Sequence, residues 1–273
     1  IENLPHMKKA PLILIAAGMM LLPSAAQKTA FGRQGWRQET AQRAPAAFAR
    51  LCEPPAMKGA SAKDRERMRD FLLKDGTRRS FSLANPPHAA EMPEIHVRHV
   101  AGGQFTDHVF TKMKDRDILR CEGPLGTFFL REDSDKPIVF VASGTGFAPI
   151  KAILEHMFHK NVARQATLYW GGRRPKDLYM HALAERWAAE HGNFRYVPVV
   201  SDALPEDQWT GRTGFVHRAV MEDFPDLSGH QVYACGVPIM VDSARRDFIA
   251  RCHLPEEEFY ADSFTTQADL AAT

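Results

Sequence analysis

Cysteine is scarce and scattered in this chain: Cys52, Cys121, Cys235 and Cys252 are the four among 273 residues. No C-x-x-C pair exists to hold zinc, and no C-x4-C-x2-C run exists to hold an iron–sulfur cluster. Thiols spaced this widely suit a reducing compartment, while their even number leaves disulfides open. Charge of one sign is also lacking. A formal net charge of +2, with no basic stripe interleaved by aromatics, argues against a nucleic-acid partner. Long apolar runs are missing too: Pro11–Leu22 is too short to span a bilayer as a helix, so no integral membrane span is expected. No metal site is expected either, because His96 and His99, three apart in one predicted strand, fall on opposite faces. No internal repeat is visible.

What is present is a globular composition, 44% hydrophobic and 25% charged, in a chain long enough for one large or two ordinary domains. Residues 1–70 stand apart. Met7-Lys8-Lys9, the apolar run Pro11–Leu22 and "PSAAQ" read as the charged, hydrophobic and cleavage regions of an export signal ending at Ala26. A misjoined segment is the other reading. Residues 27–69 are rich in Ala, Arg and Gln and show no sustained period, and "KDRERMRDF" reads as a solvated turn or linker. From Phe71 the pattern changes. "FLLKDGTRRSFSLA" predicts strand, D-G turn and strand, and "EIHVRHV" another strand, giving a small β unit over 71–134.

Beyond Asp133–Pro137 strands and helical stretches alternate. Strand 137–142 leads to a helix from Pro149, strand "ATLYWGG" to a helix over 177–191, and strand "FRYVPVV" to a helix near 215–224. Strand "HQVYACG", a helix from Pro238 and a strand "EFYAD" complete the series. This order predicts a parallel sheet with helices on both faces over 135–273. Ligands of such sheets bind outside the carboxyl ends of the strands. After the first strand stands "SGTGFAPIKAI". Gly144 and Gly146 allow a backbone turn close to a pyrophosphate, and Pro149 pre-sets the first turn of the following helix. After the second strand, Asp177 or Arg173 and Arg174 would meet a ribose, an acid favouring NADH and a base NADPH. After the fourth, Cys235 and Gly236 end an apolar strand.

The β unit carries its own glycine and arginine motifs. Arg79 and Phe81 share one strand face, a guanidinium beside a ring, as a phosphate-bearing aromatic ligand requires. Ser80 and Ser82 share the other face. Gly102-Gly103 with Thr106 opens a short helix, and Gly123-Pro124-Leu125-Gly126 forms a further turn. In series with Gly144-Thr145-Gly146, Pro149 and Cys235-Gly236, these motifs resemble the ferredoxin–NADP reductase superfamily. From about Phe71 onward the chain is most similar to its CDP-6-deoxy-delta-3,4-glucoseen reductase and oxygenase-reductase branch.

The resemblance implies an FAD-binding antiparallel β-barrel followed by an NAD(P)H-binding α/β domain. It implies that Arg79 holds the FAD pyrophosphate, that Phe81 lies against the flavin or its ribityl chain, and that Ser82 bonds near flavin N5. Gly102, Gly103 and Thr106 help to bind the pyrophosphate. Gly144, Thr145, Gly146 and Pro149 receive NADH or NADPH, with Cys235 and Gly236 beside the nicotinamide, Asp177 toward the ribose, and Phe264 of "FYADSF" shaping the flavin site. The implied activity is hydride transfer from NAD(P)H to FAD and electron delivery to an iron–sulfur or other acceptor protein. The alternatives are a reductase of free flavin or a non-catalytic nucleotide-binding remnant. The supply of NAD(P)H implies the cytoplasm, against the signal-like segment. The sequence departs from the family's pattern in three ways. Phe81 stands where a tyrosine is usual, the cysteine run of the family's iron–sulfur domain is absent from this sequence, and residues 1–70 do not read as the first barrel strands, so the barrel is expected to be partial.

Overall fold

The computed structural model describes residues 11–17, 49–51, 68–72, 78–89, 93–114 and 118–264. The chain divides into two compact units, Ile1–Thr127 and Phe128–Thr273. Among the described residues no helix is long and apolar enough to cross a membrane, and no group of His, Cys, Asp and Glu is placed to hold a metal ion.

Among its described residues the first unit is a six-stranded sheet with one α-helix. Its strands are β1 (Pro11–Ala17), β2 (Ala49–Leu51), β3 (Met68–Leu72), β4 (Arg78–Phe81), β5 (Glu94–Arg98) and β6 (Ile118–Leu125), in the order β4-β3-β6-β2-β1-β5. The hairpin predicted from Phe71 is β3–β4, paired antiparallel with Phe71 opposite Arg79. β3–β6 and β1–β2 are also antiparallel, whereas β1–β5 and β2–β6 run parallel. Just past β4, an antiparallel bridge joins Leu83 to Ile95 of β5. The two outer strands of the sheet are thereby drawn together, which is how a barrel removes its open edges.

Strands from within residues 1–70 therefore join this sheet, a contribution the sequence pattern does not disclose. Ile13–Ala17 of β1 pairs with β5, and a short apolar run has no period that separates a sheet strand from the core of a signal segment. Residues 7–10 and 18–26, the rest of that signal reading, lie outside the described residues. So does the D-G turn at 75–76. Helix α1 (Gln104–Thr111) buries Phe105 and Val109 with Leu83, Ile95 and Val97. The two histidines do not share one strand as predicted: His96 is buried in β5, whereas His99 lies one residue past its end and is exposed.

The second unit is the predicted alternation. Its strands are β7 (Ile138–Ser143), β8 (Ala166–Gly172), β9 (Phe194–Val200), β10 (Arg212–Thr213), β11 (Gln231–Gly236) and β12 (Phe259–Ser263). All neighbouring pairs are parallel, in the order β10-β9-β8-β7-β11-β12. The helices are α2 (Phe147–His159), α3 (His181–Glu190), α4 (Val216–Asp223) and α5 (Pro238–Cys252). Alternate strand residues serve opposite faces. Val139, Val141 and Tyr169 join Val216, Val220, Val241 and Phe248 of α4 and α5 in one core. On the other face Trp170 stacks on Phe147 of α2, centroids 4.0 Å apart, and Phe147 meets Trp187 of α3.

Two helix starts differ from the sequence reading. α2 opens at Phe147, two residues before Pro149, which sits in the first turn where no intrahelical acceptor awaits its missing N–H. α3 opens at His181, because Pro175–Asp177 forms a separate 3-10 turn closed by the Asp177 carboxylate on the Arg174 N–H at 2.9 Å.

Candidate functional site

In the second sheet the chain starts at β7, moves outward through β8 to β9, and returns to the other side of β7 with β11. Loops leaving β7 and β11 therefore diverge, and between their carboxyl ends lies the crevice where doubly wound sheets take their ligands. The β7 loop is Gly144-Thr145-Gly146, a 3-10 turn running directly into α2 with no side chain capping either. The β11 loop is Gly236-Val237, running into α5. Both predicted glycine motifs thus meet at one place.

The two loops fit closely, through backbone and the Ser143 hydroxyl. A Cβ on Gly146 would stand 2.1 Å from the Cys235 carbonyl oxygen, and one on Gly236 would stand 2.1 Å from Ser143 Oγ. The Val237 N–H donates to that same Oγ at 3.1 Å, and Trp170 Nε1–H donates to the Gly144 carbonyl at 3.0 Å. Gly144 itself has φ +53°, and a Cβ there would meet nothing within 4 Å. The turn is locked from beneath and open above. That arrangement fits a pyrophosphate: room for close approach, a left-handed glycine, and a helix N-terminus with a favourable dipole.

Cys235 is wholly buried, with its Sγ–H 3.8 Å from Asp262 Oδ2 on β12. Burial, followed by the neighbouring Asp262 charge, pushes the thiol well above its usual range, so at neutral pH it is a neutral thiol. Phe264 is carried back to the crevice by its N–H, which donates to the Gly236 carbonyl at 2.8 Å. Asp177 is in the loop after β8, as expected, where its carboxylate accepts the Arg174 N–H. Arg174 is itself held in a fork by Asp207, and Arg173 by Asp202 at 3.1 Å.

In the first unit the predicted residues also converge. Arg79 Nη2 donates to Gln104 Oε1 at 3.4 Å, which brings the guanidinium to the first residue of α1. Phe81 lies against Phe105, centroids 4.8 Å apart. Gly102 has φ +80° with open space where a Cβ would point, and Gly103 is closed over by Thr106, whose hydroxyl donates to the Val100 carbonyl at 2.9 Å. Asp107 Oδ2 accepts the Gly102 N–H at 3.1 Å and Oδ1 pairs with His99 at 2.7 Å, fixing the turn. Gly103 is the N-cap of α1, and no side chain caps it. A cation, an aromatic edge and a helix N-terminus opened by a left-handed glycine form a second anion cradle suited to a dinucleotide. Ser82 is buried beside it in sequence, at 7% exposure.

Sequence reasoning missed Ser143, Trp170, Asp207 and Asp262. Ser143 stands in the glycine motif, yet only the strand order reveals that it faces Gly236. The others act across distant parts of the chain and leave no local signal.

Two families match the chain: residues 71–130 match the oxidoreductase FAD-binding domain, and residues 140–246 the oxidoreductase NAD-binding domain. The CDP-6-deoxy-L-threo-D-glycero-4-hexulose-3-dehydrase reductase of Yersinia pestis is 49% identical over 193 residues, which cover 71% of this chain and 57% of that protein. The NAD(P)H-flavin reductase of Aliivibrio fischeri is 34% identical over 200 residues, covering 71% of this chain and 83% of that protein. The crystal structure of the Amycolatopsis cytochrome P450 reductase GcoB superposes with a TM-score of 0.69 at 34% identity, over 75% of this chain and 62% of that one. The chain thus spans little more than half the length of the Yersinia protein.

Proposed function

Because the chain belongs to the ferredoxin-reductase-like family of FAD- and NAD-binding oxidoreductases, we propose that it takes hydride from NAD(P)H and passes the electrons to a separate acceptor protein carrying an iron–sulfur centre. The observation that carries this reading is the crevice between β7 and β11, where the Gly144–Gly146 turn and the Cys235–Gly236 loop lock together beneath an open, uncapped helix end. FAD, when bound, supplies the redox chemistry by accepting two electrons together and releasing them singly.

The chain's own residues bind and orient. Arg79 and the Gly102–Thr106 turn hold the FAD pyrophosphate by charge and backbone N–H groups. Phe81 offers its ring to the flavin or ribityl chain, without the hydroxyl donor a tyrosine would add, and Ser82 supplies a hydroxyl near flavin N5. Gly144, Thr145, Gly146 and Pro149 seat the NAD(P)H pyrophosphate, while Gly236 borders the nicotinamide. Cys235, neutral and buried, acts as a polarizable spacer beside the nicotinamide and not as a nucleophile. Orienting the reactants and excluding water are the protein's contributions to the rate. Supply of NAD(P)H places this work in the cytoplasm.

An absorbance spectrum of the purified protein, before and after anaerobic NADH and then NADPH, tests the reading. A bound-flavin spectrum bleached by reductant supports it. Likeness to the Aliivibrio fischeri enzyme over most of that protein's length favours a second reading, a reductase of free flavin. That reading requires a colourless protein that turns over only with added flavin. A colourless protein without turnover leaves a nucleotide-binding remnant.

A further inference from the structure

The loop after β8 presents two arginines where the second strand of a dinucleotide fold meets the adenosine ribose, and the structure shows what each one is doing. Arg174 is 22% exposed and engaged along one whole edge: Nε donates to Asp207 Oδ2 at 2.5 Å, and Nη2 to Asp207 Oδ1 at 2.9 Å and Glu206 Oε1 at 3.3 Å. Two parallel bonds from a guanidinium to one carboxylate form the strongest side-chain ion pair available. Asp207 is fixed in its turn, since Oδ2 also accepts the Leu204 N–H at 2.9 Å. Arg173 is held far more loosely, by Asp202 at 3.1 Å, with side chains 77% and 53% exposed. Such a pair contributes little and opens readily.

We propose that Asp207 sets the coenzyme preference of this chain for NADH, by clasping Arg174 so that its guanidinium does not receive a 2′-phosphate. This rests on the coenzyme reading above. A 2′-phosphate competing for Arg174 meets the carboxylates of Asp207 and Glu206 already on its donor edge, and a dianion approaching the Nη1 edge comes against the same two charges. Asp202 stands beside the remaining arginine. A ribose 2′-hydroxyl carries no charge and suffers none of this repulsion. The arginine pair that the sequence leaves open as a 2′-phosphate site is, by this account, an NADH device. The specificity comes from repelling the wrong coenzyme as much as from attracting the right one.

The test is calorimetric titration of the full chain with ADP-ribose and with 2′-phospho-ADP-ribose, which needs neither flavin nor turnover. ADP-ribose is expected to bind at least about tenfold more tightly, the equivalent of about 1.4 kcal/mol. In Glu206→Gln/Asp207→Asn, where the amide oxygen at 207 still caps Leu204, that ratio should fall about tenfold or reverse. Adding Arg174→Ala should remove the affinity for the 2′-phosphate form that the double variant gains. Equal binding of the two ligands by the unaltered protein overturns the proposal, as does a ratio that the double variant leaves unchanged. If the double variant misfolds, Asp207→Asn alone decides: the proposal requires that it raise affinity for the 2′-phosphate form, and an unchanged ratio overturns it. Failure of both ligands to bind the unaltered protein overturns the coenzyme reading, and the proposal with it.

Discussion

A methyl group on Gly146 has nowhere to go, because the atom it would strike, 2.1 Å away, is the backbone oxygen of Cys235 and not the end of a movable side chain. At Gly144 the opposite holds: the space is open and only the backbone, at φ +53°, resists a side chain. Gly146→Ala is therefore expected to cost about 2–3 kcal/mol of stability through overpacking, and Gly144→Ala about 1–2 kcal/mol through left-handed strain alone. Urea unfolding of the two variants checks the order, and equal losses would contradict the loop-on-loop packing. Gly144→Ala should nonetheless weaken ADP-ribose binding, since its Cβ occupies the approach to the turn. Cys235 gives a separate expectation. A thiol that is buried and pushed up in pKa by that burial reacts only when the fold opens. Iodoacetamide labelling followed by peptide mass spectrometry should find Cys235 modified at the rate of unfolding, and prompt modification in the native protein would refute its placement.

Across elements, one carboxylate gathers three strands onto a helix. Asp223, the last residue of α4, receives the Tyr169 hydroxyl of β8 at 2.5 Å, Arg195 of β9 at 3.1 Å and Arg212 of β10 at 2.8 Å. A negative charge at a helix C-terminus is unfavourable in itself, so the strand groups must outweigh it. Burial works to raise the Asp223 carboxyl, but Arg212, Tyr169 and Arg195 together hold it below the usual carboxylate range. The folded form thus binds its proton later than the unfolded chain on acidification. Its stabilising contribution is complete above the unfolded value of about 3.9 and is lost as pH falls through the lower folded value. Unfolding free energies measured from about pH 7 down to about pH 3 should show a smaller acid loss in Asp223→Asn than in the unaltered protein. Parallel profiles would mean that Asp223 does not link the strands. His217 and His230 act earlier on the same side: burial depresses both, so their contribution fades as pH falls below about 6.5.

For the whole molecule, the alternation from Pro137 onward was legible because most of its strands and helices are periodic and set off by glycine or proline, while the two-residue β10 (Arg212–Thr213) escaped, being too short to carry a period. Strand order was legible only as a class. The juxtaposition of Ser143 with Val237, 94 residues apart, depends on which strands became neighbours, and the clasp of Arg174 by Asp207 crosses 33 residues in the same way. In the first unit Arg79, Phe81 and the Gly102–Thr106 turn were found through their motif chemistry, while β1 escaped because an apolar run has no period to read. The two units differ correspondingly in self-sufficiency. Phe128–Thr273 contains its complete parallel sheet, its core on both faces and every residue of the β7–β11 crevice. A domain of about 150 residues buries about 70% of the surface its unfolded chain exposes, enough to fold alone. Expressed separately, residues 128–273 should unfold cooperatively and bind ADP-ribose within about threefold of the full chain, a difference of less than 1 kcal/mol, while retaining no flavin. A fragment with helical circular dichroism but no near-ultraviolet signal and no cooperative transition would show that its core is incomplete without the first unit. A fragment that folds but fails to bind would instead place part of the nucleotide site outside it.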